Sequence, residues 1–138
     1  MNSSILIDTN ILIYAIDADS RFHNSALKLL FDPTLKLFTT SKNLSEFLVV
    51  LTRNKEIELS TAECFELLNS LLTDINILYP NPTTFKIFQN LISKYNPRGL
   101  WIHDVEIASI GLAYGISTIA TNNIADFKRI AEIEVIKI

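Results

Sequence analysis

The chain has 138 residues, 49% apolar and 20% charged, so it can bury a real core and is not a disordered segment. Its net charge of −3 argues against a protein that coats DNA non-specifically. A nuclease is not excluded, because a local cation and a few basic side chains can hold phosphate on an acidic molecule.

Residues 4–8 read as a short buried strand, followed by a brief helix over 11–15. Residues 22–31 are helical in pattern, with Ala26, Leu29 and Leu30 on one side and Pro33 as the stop. A second strand is expected over 35–39. Ser41 or Asn43 then caps a helix that runs to about Arg53. Ser60 and Glu63 have capping-box spacing, so the next helix begins there and continues to Thr73.

Residues 75–79 form the third strand, closed by Pro80, and Pro82 suits the first position of a helix through about Lys94. Ile102 or His103 opens another helix, which Gly115 stops. Residues 116–120 are strand four, 125–131 a short helix and 135–138 a terminal strand. Short apolar strands alternating with helices indicate a parallel sheet covered on both faces. With no repeat, linker or low-complexity stretch, residues 1–138 read as a single domain.

Cys64 lies in a helical apolar stretch and reads as a small buried hydrophobe. One cysteine allows neither an internal disulfide nor a cysteine zinc site, which suits a reducing cytoplasm. The amino terminus lacks the basic region of a secretory signal. Residues 107–125 carry no charge, but Gly111, Gly115, Asn122 and Asn123 interrupt them. A helix followed by a buried strand explains that stretch better than a membrane span.

The chemistry lies in four separated segments: ILIDTNI at 5–11, LSEFL at 44–48, WIHDVEIA at 101–108 and TNNIADF at 121–127. They put Asp8, Glu46, Asp104 and Asp126 beside apolar neighbours. A carboxylate withdrawn from water without a partner is costly, or is driven to its neutral form. Asp8 and residues 121–123 follow strands directly, on the edge where open parallel sheets bind ligands. Asp104 shares a helix face with Ile107, Ala108 and Gly111, small enough to let that helix approach the sheet.

Each position also has a structural reading. Asp8 would bond turn amides, Glu46 would pair with Arg53, Asp104 would cap its helix, and Asp126 would favour a helix dipole. Taken together, the carboxylates call for a shared cation. Oxygen donors without histidine or thiolate select Mg2+ or Mn2+. Such an ion polarises a phosphoryl oxygen and lowers the pKa of water, the chemistry of phosphodiester hydrolysis.

With these segments in this order, the chain resembles a PIN-domain ribonuclease, closest to the VapC-type toxins of prokaryotic toxin–antitoxin pairs. The resemblance covers essentially the whole chain. It implies a three-layer α/β/α fold around a five-stranded parallel sheet, and a Mg2+- or Mn2+-dependent endoribonuclease leaving a 5′-phosphate and a 3′-hydroxyl. Asp8, Glu46 and Asp104 match the family's core acidic positions. Asn123 stands where many relatives have aspartate, so Asp126 is the expected fourth catalytic and metal-binding carboxylate.

Thr9 and Thr121 match supporting hydroxyl positions, and Asn123 would contribute a carbonyl or orient a water. The implied partners are an RNA substrate, a small antitoxin protein and a second copy of the chain, in the cytoplasm and away from membranes. Lys42, Arg53, Arg98 and Lys128 are candidate phosphate contacts by their proximity in sequence to the motifs. His103 reads as a structural histidine at a helix start. Tyr14, Phe22 and Trp101 are aromatics that either stack bases or pack the core.

The alternatives are three. One is a catalytically weakened PIN fold that only binds RNA or protein, kept open by Asn123. A phosphoacceptor receiver module expects an acidic pair near Asp8 and an aspartate just after Tyr79, and has neither. A haloacid-dehalogenase-type phosphatase would need a second aspartate at position 10, where Asn10 stands.

Overall fold

The computed structural model describes residues 3–138. Five parallel strands form one sheet in the order β3-β2-β1-β4-β5. They are β1 (Ser4–Ile7), β2 (Lys36–Thr40), β3 (Ile75–Leu78), β4 (Thr118–Ala120) and β5 (Glu134–Ile136). The helices are α1 (Thr9–Ile16), α2 (His23–Leu30), α3 (Ser41–Arg53), α4 (Thr61–Leu71), α5 (Pro82–Tyr95), α6 (Trp101–Ala113) and α7 (Ile124–Lys128).

β1 is central, paired with β2 through Ser4–Lys36, Ile5–Leu37 and Leu6–Phe38, and with β4 through Leu6–Ile119 and Ile7–Ala120. Alternate side chains on a strand point to opposite faces, so β1 feeds two cores. Ile5 and Ile7 join residues of α1 to α4, among them Ile11, Ala26, Phe47 and Leu68. Leu6 joins residues of α5 to α7, among them Leu91, Val105, Ile110 and Phe127. The result is a three-layer α/β/α arrangement. Removing Phe47 or Phe127 wholly from water stabilises the fold by about 2–3 kcal/mol each before entropy is counted.

The expected elements form, with shifts at their ends that side-chain chemistry explains. Thr40, and neither Ser41 nor Asn43, is the cap of α3. Its hydroxyl accepts from the Asn43 amide, while Asn43 supplies the reciprocal bond of the box. The Ser60–Glu63 box is present as expected, and Asn81 caps α5 with Pro82 at its start. α4 stops at Leu71 and tightens into a 3-10 turn over Leu72–Asp74.

α6 begins at Trp101, one residue earlier than expected, and Leu100 provides no side-chain cap. Asp104 therefore lies inside the first turn and does not cap its helix. Gly115 takes φ +75 just beyond the end of α6, a backbone conformation that costs glycine nothing. Cys64 is fully buried and unpaired. Among the described residues no helix is long and apolar enough to cross a membrane.

Candidate active site

β1 ends one residue before Asp8, and α1 begins one residue after it. Asp8 is the N-cap of α1, with Oδ1 accepting from the Thr9 amide at 2.8 Å. The turn-bonding reading of Asp8 is thus realised, and it leaves the carboxylate facing the site. Oδ1 also accepts from Asn43 Nδ2 at 3.0 Å, and Oδ2 from Thr121 Oγ1 at 2.7 Å and Asn10 Nδ2 at 3.3 Å. The donors come from α1, α3 and the segment after β4. One buried carboxylate therefore ties its own helix to two distant parts of the chain.

The supporting hydroxyls divide their work. Thr9 Oγ1 accepts from Asn43 Nδ2 at 3.0 Å and lies 3.2 Å from Glu46 Oε2, to which it donates. Thr121 Oγ1 holds Asp8 and accepts from the Asn123 amide at 2.9 Å, shaping the turn that leads into α7. Glu46 is thus tied to the carboxylate cluster through Thr9. The expected pairing with Arg53 is not among the ion pairs formed by the described residues.

Asp8, Glu46, Asp104 and Asn123 line one cavity of about 220 Å³, together with Tyr14 and Val50. A second cavity of about 480 Å³ shares Glu46, Asp104 and Asn123 with it and adds Asp126, Lys42 and His103. Asp126 therefore faces the second space, with Arg129 Nη1 3.9 Å from its Oδ1. Of the candidate phosphate contacts only Lys42 lies on a cavity wall. Arg53, Arg98 and Lys128 are exposed and line neither cavity.

The electrostatics follow from this crowding. Burial raises the Asp8 pKa above the ordinary carboxylate value, and the nearby Glu46 charge adds to the rise. The Thr121, Thr9 and Asn43 hydrogen bonds work in the opposite direction. Asp104 is pushed up to about 7, first by burial and then by the charges of Asp8, Asp126 and Glu46. Among the described residues its carboxylate meets no hydrogen-bond donor. An acid with three like charges around it and no donor is a position that a cation would relieve.

The donor set fits a hard divalent ion. All its groups are carboxylate, amide or hydroxyl oxygens. Among the described residues no three His, Cys, Asp or Glu groups close a metal cage by themselves. An ion bound through one or two carboxylates and completed by water suits such an open arrangement.

Two further residues organise this cluster, and sequence reasoning assigns neither a role in it. Asn43, read only as a possible cap, is fully buried and bonds both Asp8 and Thr9. Asn10 links Asp8 and Thr121 through Nδ2, and its Oδ1 accepts from the Asn122 amide at 3.1 Å. Their position just after strands, beside Asp8 and before Glu46, was the available signal. Trp101 is a core residue whose Nε1 donates to the Asp126 carbonyl at 2.9 Å, so packing decides its role. Tyr14 lines the first cavity and stacks at 4.9 Å on Phe22.

Comparison with known folds agrees with this architecture. VapBC2 from Rickettsia felis, solved bound to a DNA fragment from its promoter, has TM-score 0.74 and 23% identity over 97% of this chain and 98% of that one. A toxin–antitoxin complex from Klebsiella pneumoniae gives TM-score 0.67 and 20% identity, covering 96% and 95%. Mycobacterium tuberculosis VapC20, described as a sarcin–ricin loop cleaving toxin, gives 0.67 and 17%, covering 90% and 92%. At these identities the likeness speaks for the fold. No characterised protein matches significantly by sequence. The PIN domain family model matches residues 5–133, nearly the full length, and the chain belongs to the PIN domain family.

Proposed function

We propose that this protein is a Mg2+- or Mn2+-dependent endoribonuclease that hydrolyses RNA phosphodiester bonds, acting as the toxin of a toxin–antitoxin pair. The observation that carries the reading is the meeting of Asp8, Glu46 and Asp104, from three separate segments, around one cavity. One or two of Asp8, Glu46 and Asp104 would hold the ion directly and the remainder through water, with Asp126 facing the adjoining space. When bound, the ion supplies charge neutralisation at phosphorus and a more acidic water.

The chain's own residues do the rest. Thr9 and Asn43 hold Glu46 and Asp8 in register, and Thr121 fixes the Asp8 carboxylate from the other side. Asp104, its pKa near 7 in the absence of an ion, stands at the meeting of both cavities, so taking up the ion near neutral pH would release its proton. Asn123 offers an amide where a further carboxylate would add repulsion.

Likeness to the toxin–antitoxin complexes supports an antitoxin protein as partner; a second copy of the chain and a cytoplasmic setting are part of the same proposal. The test is cleavage of single-stranded RNA with Mg2+ or Mn2+ by wild type, Asp8→Asn and Asp104→Asn. Loss of activity in both variants and on chelation supports the reading. Equal cleavage by all three, or indifference to the metal, overturns it, and no cleavage by wild type in either ion leaves a PIN fold that only binds.

A further inference from the structure

The larger cavity, between α3 and α6, poses an electrostatic problem for a nucleic-acid ligand. Its walls carry Glu46, Asp104 and Asp126, and RNA brings more negative charge. Among the described residues, Lys42 is the one lysine or arginine on the wall of either cavity. That lysine is already engaged: its Nζ lies 2.9 Å from Glu106 Oε1. Lys42 is one helical turn before Glu46 on α3, and Glu106 is two residues after Asp104 on α6. The ion pair therefore joins the two helices that carry the opposing carboxylates.

We propose that Lys42 is the phosphate-binding residue of this site and that Glu106 is its resident counter-ion, displaced when a backbone phosphate of single-stranded RNA enters. This rests on the ribonuclease reading above. The two side chains are 28% and 34% exposed, so the pair is neither freely solvated nor locked in the core. Pairs of that kind hold weakly, and exchanging one anion for another on the lysine costs little. The freed Glu106 carboxylate, a third exposed, turns to water.

The phosphate gains a charge-assisted bond beside the cluster that would hold the cation. Leu100 and Val49, 83% and 52% exposed, lie on the same cavity wall and offer apolar surface to ribose or base. The strand is thereby led from the carboxylates along the cleft between the two helices.

A structural ion pair and a guarded phosphate site make opposite predictions. If the pair merely braces the helices, Lys42→Gln and Glu106→Gln both lower the melting temperature and leave KM alone. If Glu106 competes with phosphate, the two variants move KM in opposite directions. Lys42→Gln raises KM about tenfold and makes the salt dependence shallower by about one phosphate contact. Glu106→Gln lowers KM by up to about fivefold, the scale of a weak exposed pair.

The gain from Glu106→Gln disappears when Lys42→Gln is also present, because no lysine remains to be freed. Glu66→Gln on α4 removes the same charge at a distance and changes KM much less than Glu106→Gln.

The experiment measures cleavage of a single-stranded RNA dodecamer in Mg2+, and anisotropy of the same labelled RNA in Ca2+, for wild type and these variants. Opposed shifts in the single variants, with the Glu106→Gln gain lost and the Lys42→Gln defect retained in the double variant, support the proposal, in KM or in affinity. Wild-type cleavage with no such shifts overturns it and leaves the ribonuclease reading standing. Binding with the opposed shifts but without cleavage, in any divalent ion, sinks the ribonuclease reading and keeps the phosphate site. Absence of RNA binding by wild type overturns both.

Discussion

Asn43 Nδ2 donates to Asp8 Oδ1 at 3.0 Å, joining the start of α3 to the end of β1. The same amide nitrogen donates to Thr9 Oγ1 at 3.0 Å, and its Oδ1 accepts from the Thr40 hydroxyl at 2.6 Å. Every polar atom of this fully buried side chain is therefore committed. The bond fixes which way a desolvated carboxylate faces, and does so from the helix that also carries Glu46.

Removing Asn43 should be costly. Asn43→Ala leaves Asp8, Thr9 and Thr40 each short of a partner in a dry environment, where one unsatisfied group costs about 1–3 kcal/mol. The expected loss is about 3 kcal/mol, read as a lower urea midpoint with an unchanged slope. RNA cleavage should fall further than the stability loss accounts for, because the orientation of Asp8 is lost. Full cleavage by folded Asn43→Ala protein would show that the amide only supports the fold.

Stability should depend on pH in the sense opposite to ordinary acid denaturation. The Asp104 pKa rises from its ordinary 3.8 to about 7 in the folded protein, and that of Asp8 is also raised. Below about 4 both the folded and unfolded chains hold these protons, and the groups contribute nothing to the balance. Between about 4 and 7 the unfolded chain has released the Asp104 proton while the folded protein keeps it, so stability falls as pH rises. In chelator the melting temperature should therefore drop from pH 5 to pH 8.

Added Mg2+ or Mn2+ should restore part of that loss, and more at pH 8 than at pH 5, because ion binding and carboxylate ionisation favour each other. Asp104→Asn should melt a few degrees above wild type at pH 8 and lose the advantage at pH 5. A wild-type melting temperature that rises steadily to pH 8 in chelator would contradict the crowding of these charges.

How far the sequence disclosed this depended on whether a feature was local. The Ser60–Glu63 box, Pro82 at a helix start and Gly115 beyond a helix end are set by neighbouring residues, and all three were readable. The two-faced burial of β1 was also readable, since a short strand with three consecutive apolar residues, Ile5, Leu6 and Ile7, belongs in the middle of a covered sheet. The contacts of the site were not. Asn43 carries a capping signal and a functional bond at once, and only the first has a sequence signature.

Arg53 and Arg98 were chosen for nearness along the chain, but neither reaches a cavity wall. Arg53 falls in the last turn of α3, whereas Lys42 lies in its first turn, at the end where the carboxylates gather. The Lys42–Glu106 pair has no sequence signature because its partners lie on different helices. Spacing within α6 says nothing of what α3 brings against it.

Trp101, at the start of α6, ties that helix to α7. Its indole donates to the Asp126 carbonyl, Arg129 stacks 3.6 Å from its ring centroid, and Tyr95 meets it edge-on at 6.2 Å. Trp101→Phe keeps most of the packing and loses the donor, for an expected cost of about 1 kcal/mol. Freed from that bond, the backbone over residues 124–128 should exchange its amide hydrogens faster, while α3 is unaffected. Uniform acceleration across the whole chain would mean that the bond serves global stability and not the local placement of Asp126.

Gly111 sets how closely α6 approaches the sheet. A β-carbon there would sit 3.1 Å from the Ile116 carbonyl oxygen and 3.1 Å from Leu6 Cδ2. The leucine can yield a little, but the carbonyl belongs to the backbone that leads into β4. Gly111→Ala should cost about 1 kcal/mol and Gly111→Val about 3 kcal/mol, in the range of overpacked cores. Gly111 is also two turns beyond Asp104 on the same face of α6, so pushing this end of the helix outward tilts the carboxylate away from Asp8. Calorimetry should then find divalent-ion affinity falling from wild type to Gly111→Ala to Gly111→Val. If Gly111→Ala destabilises the protein but binds the ion as wild type does, the approach of α6 matters for packing alone and Asp104 has room to adjust.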